Sequence, residues 1–422
     1  MRRSPADPCL TAGVALLAAA CAAPGRPGAA PPRAGGAGAE PVIRVGIAVH
    51  ADSVAVASDG WLWIGDPATG RAIAVTDSGE TWTVVRDAGE RLRVVRPDGA
   101  RSQPHGSVRV EPLSGTLRVN GTGYRGALVI IPGRRGGVTA VNVVGLEDYL
   151  LGVVPAEIGP RPISDLEAVK AQAVAARTYA IAYLGARDSL GFDVFADVGD
   201  QVYRGLDGEA EVPSRAVRET RGVVATYGGR PIETYYHSTC GGATARIEDV
   251  WPRPARPYLV SVSDRVPGTE ERYYCEGSPH FRWETRWSLD DLRSVLAETL
   301  PPRTGVLPES LGVVTDVRVV DRTAEGRARK IEIRTTRLSV EVWGNDIRWV
   351  LEPRVGQPLR STYFVETWVR DGGGGELRLR GGGWGHGVGL CQWGAIGRAR
   401  GGQSYEEILT AYFPGIELQR WY

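Results

Sequence analysis

Residues 146–187 read LEDYLLGVVPAEIGPRPISDLEAVKAQAVAARTYAIAYLGAR, and the pattern of the chain changes there. Leu166, Val169, Ala173, Ala176 and Ala180 recur at the spacing of a helix buried along one stripe. Ser164-Asp165-Leu166-Glu167 has the form of a capping box opening that helix. LEDYLLGVV, 146–154, reads as a short helix ended by Pro155, which lacks the N–H that the next turn needs. Between the two, VPAEIGPRP places Glu157 on a loop bracketed by Pro155 and Pro160. Proline on both sides limits the wandering of a carboxylate, which suits a catalytic acid. Solvated loop glutamates look the same, so the residue types alone leave both readings open.

Working outward, residues 42–144 are short β-rich runs separated by turns at about ten-residue spacing: VIRVGIAV, WLWIG, AIAV, WTVV, RLRVVR, SVRVEP, TLRVNG, ALVIIP and TAVNVV. Beyond Gly191 strand patterns return, interrupted by helices at LDDLRSVLAETL (289–300) and SYEEILTAYF (404–413), the latter stopped by Pro414-Gly415. Strands grouped before helices, then mixed with them, indicate an α+β chain. The expected division is a β-rich region over 41–140 and a mixed α/β region over 141–418, with no internal repeat.

The chain has 422 residues, with 50 basic and 49 acidic side chains and a net charge of +1. That balance speaks against a general nucleic-acid binder, which needs a basic excess. Arg2 and Arg3 precede LTAGVALLAAACAA, an apolar run of signal-peptide length that ends in small residues before Cys21, as in a bacterial lipoprotein signal. The expectation is an exported protein of the envelope or periplasm with a signal peptide over residues 1–21, lipidated on Cys21 and touching the membrane through that lipid alone; ordinary cleavage near Ala30 is the alternative. Residues 22–40, rich in Pro, Gly and Ala, read as a flexible linker.

GGGWGHGVGLCQWGA, 381–395, raises a separate question. No Lys-Ser/Thr follows the glycines, and the third glycine of a dinucleotide fingerprint is missing, which speaks against phosphate binding. Read as a strand, the stretch puts Trp384, His386, Val388 and Leu390 on one face and leaves the other bare for a neighbouring backbone or a flat ligand such as a sugar. Cys240, Cys275 and Cys391 lie in the body of the chain. His237-x-x-Cys240 with Cys275-x4-His280 could hold a structural zinc ion; in an exported protein a Cys240–Cys275 disulfide is the preferred alternative, because those ligand spacings are loose.

VVGLEDYLLGVVPAEIG followed by LEAVKAQAVAARTYAIAYLG resembles the signature of the stage II sporulation protein D family, which includes the amidase-enhancer LytB proteins. GDQVYRGL (199–206), TYYHSTCGGAT (234–244), IEDVW, PYLVSVSD and the glycine-rich stretch run on in the same order. The resemblance spans roughly 140–285 and 342–418; the segment around 289–340 is covered poorly. It implies mixed α/β lobes flanking a substrate groove and a lytic transglycosylase acting on peptidoglycan glycan strands stripped of stem peptides. Glu157 falls on the family's catalytic glutamate, and no cofactor is required. Zinc is associated with some members, at a region that HSTC matches in part. Arg177, Gln201, Tyr203, Trp384, His386 and Gln392 are the expected substrate-binding residues. Arg177 also fits a structural salt bridge, Tyr203 the core, and Trp384 and His386 a supporting wall. The rival function is a glycan-binding enhancer, without catalysis, of a partner N-acetylmuramoyl-L-alanine amidase.

Overall fold

The computed structural model describes residues 38–371 and 374–422. The proposed signal sequence, Cys21 and most of the linker lie outside them. The fold is mixed α+β with a β-rich N-terminal region, as the run pattern indicates. Val42–Ala51 pairs antiparallel with Val138–Gly145, and these two strands anchor a seven-stranded sheet that continues through Ala127–Pro132, Val108–Pro112, Leu62–Asp66 and Arg71–Val75. A second sheet of five strands, centred on Ser53–Ser58, shares its core. Alternation explains the packing: Ile43, Val45, Val54, Val56, Val108 and Val110 all point inward and are fully buried. Ser53–Ser58 and Thr122–Tyr124 are strands that the sequence pattern missed.

The central strand Val138–Gly145 feeds directly into helix α1, Leu146–Ile158. Gly145 offers no capping side chain, and the Glu40 carboxylate accepts from Glu147 N (2.9 Å) in its place. Contrary to the sequence reading, α1 does not stop at Pro155 but carries it inside the helix, so Glu157 sits in the last turn rather than on a loop. Leu150, Val153, Val154 and Ile158 are all fully buried, and that burial outweighs the local penalty of the proline.

Helix α2 spans Leu166–Ala182. The expected capping box is not formed: a 3-10 turn, Ile163–Asp165, leads in, and Asp165 gives its carboxylate to Arg400 (2.8 and 3.0 Å). Val169, Ala173, Ala176 and Ala180 do line the N-terminal core. Ala168, Ala171, Val174 and Ala175, on the other side, line a second core with Leu390, Ile396, Ile408 and Leu409. An alanine-rich helix is thin enough to be enclosed on both sides, which makes α2 the shared wall of two cores. Residues 283–381 hold a third core around Trp287, Leu292, Leu296, Ile331, Ile333 and Leu379, built on two three-stranded sheets and the helix Leu289–Thr299. Among the described residues, no helix is long and apolar enough to cross a membrane.

Candidate functional site

The last turn of α1 delivers Glu157 to a place where it is 2 % exposed. Val202 N donates to its Oε1 at 2.7 Å, and the Tyr236 hydroxyl hydrogen-bonds the same carboxyl group. Burial pushes the group up to about 8, against the opposing pull of the Val202 N–H and Tyr236. Near neutral pH the carboxyl is therefore protonated. Because Oε1 is the acceptor of a backbone N–H, the proton belongs on Oε2.

Around this acid stands a shell of neutral amides and phenols. Gln201 Nε2 donates to the Tyr236 hydroxyl (3.1 Å) and to Ala176 O (3.3 Å), while Tyr149 donates to Gln201 Oε1 (3.2 Å). The Gln201 donor occupies a lone pair of Tyr236 and turns its proton toward Glu157. Gln392 Nε2 donates to the Glu157 carbonyl (3.1 Å) and to Gln172 Oε1 (3.3 Å), tying the start of the helix Gln392–Arg400 to the end of α1. Gln201 and Gln392, both buried, are thus positioning groups behind the acid. Beyond the carboxyl group the chain emerges at Arg161, whose guanidinium lies 5.3 Å from the Trp393 ring centroid.

Two expected contacts belong elsewhere. Arg177 is fully buried and makes a two-pronged ion pair with Glu147 (both 2.8 Å), with further bonds to Val217 O and Val223 O. It ties α2 to α1, and with Thr220 Oγ1 all five of its N–H groups have protein acceptors, so none is left for a substrate carboxylate. Tyr203 is 5 % exposed, its ring packed at a tilt between Tyr124 and Tyr149, with its hydroxyl on Asn142 Oδ1 (3.0 Å). It is a core residue because Gly152 leaves room for its ring: a Cβ there would come 2.7 Å from it.

The glycine-rich stretch is not an extended strand. Gly383, Gly385, Gly387 and Gly389 take φ of 84°, 114°, 88° and 72°, the left-handed region that other residues avoid. The bare side faces backbone. A Cβ on Gly389 would meet Tyr235 O at 2.2 Å, and one on Gly383 would meet Thr239 O at 2.6 Å. Trp384 exchanges both backbone hydrogen bonds with Thr239, and Leu390–Cys391 pairs in parallel with Tyr236–His237. His386 is buried, donates from Nε2 to Tyr236 O (2.9 Å) and accepts at Nδ1 from Val388 N (3.1 Å). Those bonds fix one neutral tautomer, and burial pushes the imidazole down to about 3. His386 therefore positions the Tyr236 backbone instead of meeting substrate at a groove edge. Trp384 is half-buried, with its ring against His280 (4.1 Å between centroids).

The four-ligand zinc reading also fails on geometry. His237 donates from Nδ1 to Val388 O (3.2 Å) and His280 packs on Trp384; neither joins the cysteines. The preferred Cys240–Cys275 disulfide is not formed either: Cys240, Cys275 and Cys391 are all buried free thiols. The sulfurs of these three and a carboxylate oxygen of Asp264 lie within 4.8 Å of one another. Tyr236, Gln172, Trp393 and Asp264 escaped the sequence reading. Tyr236 and Asp264 fall inside the motifs TYYHSTC and PYLVSVSD, but only the fold shows which of those side chains faces Glu157 or the thiols.

Comparison with known proteins identifies the family. The model of the Stage II sporulation protein family (SpoIID) matches residues 134–227, which hold α1, α2, Glu157 and Gln201. A domain of unknown function (DUF8618) matches residues 245–389. An uncharacterized protein of Brachyspira hyodysenteriae is 35 % identical over 301 residues, 71 % of this chain and 73 % of that one. Stage II sporulation protein D of Bacillus amyloliquefaciens is 30 % identical over 306 residues, 69 % of this chain and 78 % of its own. The amidase enhancer of Bacillus subtilis is 29 % identical over 296 residues, 64 % of this chain but 40 % of that longer protein. On these matches and the motifs they contain, the chain belongs to the stage II sporulation protein D family, alongside the amidase-enhancer LytB proteins.

Proposed function

We propose that this protein is a peptidoglycan lytic transglycosylase that cleaves glycan strands, stripped of their stem peptides, with Glu157 as its only acid and base. The observation that carries the reading is a carboxyl group buried between the Val202 N–H and the Tyr236 hydroxyl, where burial raises it to about 8 and favours the protonated form. Oε2 gives its proton to the glycosidic oxygen as positive charge develops at the anomeric carbon. The resulting carboxylate takes a proton from the sugar's own primary hydroxyl, which attacks the anomeric carbon and closes an anhydro ring. Water is not the nucleophile, so a second carboxylate of the kind used by hydrolases has no task. In keeping with this, no charged neighbour is among the causes that shift Glu157. Val202 N and Tyr236 then serve the carboxylate formed midway, which they stabilise by hydrogen bonds.

The rival reading, a glycan-binding enhancer of an amidase, is favoured by the similarity to the amidase enhancer. Digestion of amidase-treated cell-wall sacculi separates them. Anhydro-muramoyl ends in the digest, detected by mass spectrometry, support the enzyme; intact strands with a stimulated amidase support the enhancer. In either role the protein works outside the cytoplasm, exported by its N-terminal segment and tethered by a lipid on Cys21.

A further inference from the structure

Cys240, Cys275, Cys391 and Asp264 come from four separate stretches of the chain and meet in the second core. The Cys240 sulfur lies 3.5 Å from the Cys275 sulfur and 3.5 Å from Asp264 Oδ2. A tetrahedral zinc ion with Zn–S bonds of about 2.3 Å spaces its sulfurs by about 3.8 Å, so the Cys240–Cys275 pair needs to open by only a few tenths of an ångström, and the whole ligand set already lies within 4.8 Å. The backbone already treats the sulfurs as acceptors. Cys240 N and Gly394 N both point at the Cys391 sulfur (3.2 and 3.3 Å), and Gly242 N points at that of Cys240 (3.4 Å). Cys391 is also the N-cap of the nine-residue helix Gln392–Arg400, where negative charge is favoured. Asp264 is held for ligation by Tyr412 (2.6 Å) and Cys275 N (3.0 Å).

Two buried guanidinium groups next to the cluster each keep an N–H without a partner: Nη1 of Arg327 and Nε of Arg398. Arg327 donates to the Cys240 carbonyl (2.6 Å), and Arg398 Nε lies 3.7 Å from Asp264. Buried cations are expensive unless negative charge accompanies them, and Arg398 has a long ion pair with Asp264 that leaves its Nε–H without a hydrogen bond. Three thiols do not supply it, but three thiolates do. Replacing three thiol protons by one Zn2+ releases three H+ and leaves the S3O cluster at about −2, opposite in sign to the two guanidinium groups.

We propose that Cys240, Cys275, Cys391 and Asp264 form a structural tri-thiolate zinc site that fixes the segment carrying Gln392 beneath Glu157. Thiolate ligands favour zinc among the common divalent ions. With all four positions taken by protein, the site leaves no coordination open for substrate. Gln392 follows Cys391 directly and bonds the Glu157 carbonyl, so the ion braces the acid without touching the glycan.

The test is the metal content of the purified full chain, prepared without a metal-chelating tag, measured by inductively coupled plasma mass spectrometry. About one zinc per chain is expected, with Cys240, Cys275 and Cys391 blocked to a thiol reagent until the protein is denatured with chelator. Cys391→Ser should lose most of the metal, whereas His280→Ala should keep all of it. Cobalt exchanged into the wild-type protein should give the intense visible bands of a tetrahedral thiolate complex. Metal-free wild-type protein with three free thiols overturns the proposal. So does a Cys240–Cys275 disulfide in peptide mapping, or loss of zinc in His280→Ala. The metal readout is independent of glycan cleavage, so its failure is distinct from a failure of the proposed activity.

Discussion

Holding Glu157 protonated has a consequence for folding that Glu157→Gln should expose. In the unfolded chain a glutamate ionises near 4.5, and in the fold it does so at about 8. The folded-state value is the higher one, so the residue is compatible with full stability below pH 4.5. Stability is then lost as pH rises through the window from 4.5 to about 8. At about 1.4 kcal/mol per pH unit, the penalty is a little over 3 kcal/mol at pH 7 and levels off near 5 kcal/mol above pH 8, in order of magnitude. Gln keeps the Oε1 acceptor for Val202 N and carries no ionisable proton. Urea denaturation followed by tryptophan fluorescence should give matching midpoints for wild type and Glu157→Gln at pH 4. The variant should become progressively more stable from pH 5 to 8, by a difference that then stays flat. A difference independent of pH, or a variant less stable at pH 8, would refute the claim that Glu157 is buried as the neutral acid.

Removing the Tyr236 hydroxyl with Tyr236→Phe withdraws a bond that favours the carboxylate; the Glu157 value rises further, and the alkaline limb of the glycan-cleavage profile should move up by roughly one pH unit. Arg177→Met leaves Glu147 buried without its cation and should destabilise the fold by about 3–5 kcal/mol in urea melts. Adding Glu147→Gln should recover part of that loss, while binding of glycan strands by the folded protein is unchanged throughout. Gln392→Ala frees the Glu157 carbonyl and should lower kcat about tenfold with little effect on KM, the pattern of a positioning residue.

The period-two runs before residue 144 and the three-to-four stripe on residues 166–180 were legible because each reports a single buried face. Pro155 misled, since local propensity places a stop there and only the burial of Val153, Val154 and Ile158 carries the helix on. The Ser164–Glu167 capping box misled for a similar reason: Asp165 has a stronger partner in Arg400, more than two hundred residues away. Glu157 was legible through its motif, but its place in the last turn of a helix was not. The same holds for Gln201 and Gln392, whose sequence positions announce importance without saying whether they face sugar or the acid. The glycine alternation suggested a strand because spacing carries no sign of φ; a left-handed turn at every second residue leaves the same trace as a flat one. Arg177 and Tyr203 went wrong together, since a charge or a phenol on a helix or loop reads as reachable until both sides of that element are found covered.

The most direct test compares wild type with Glu157→Gln on amidase-treated glycan strands, with products identified by mass spectrometry. The wild type should release fragments ending in anhydro-muramoyl residues. The folded variant should bind the same strands and release none. Fragments with ordinary reducing ends, or anhydro ends from the variant, would contradict a single buried acid as the source of the chemistry.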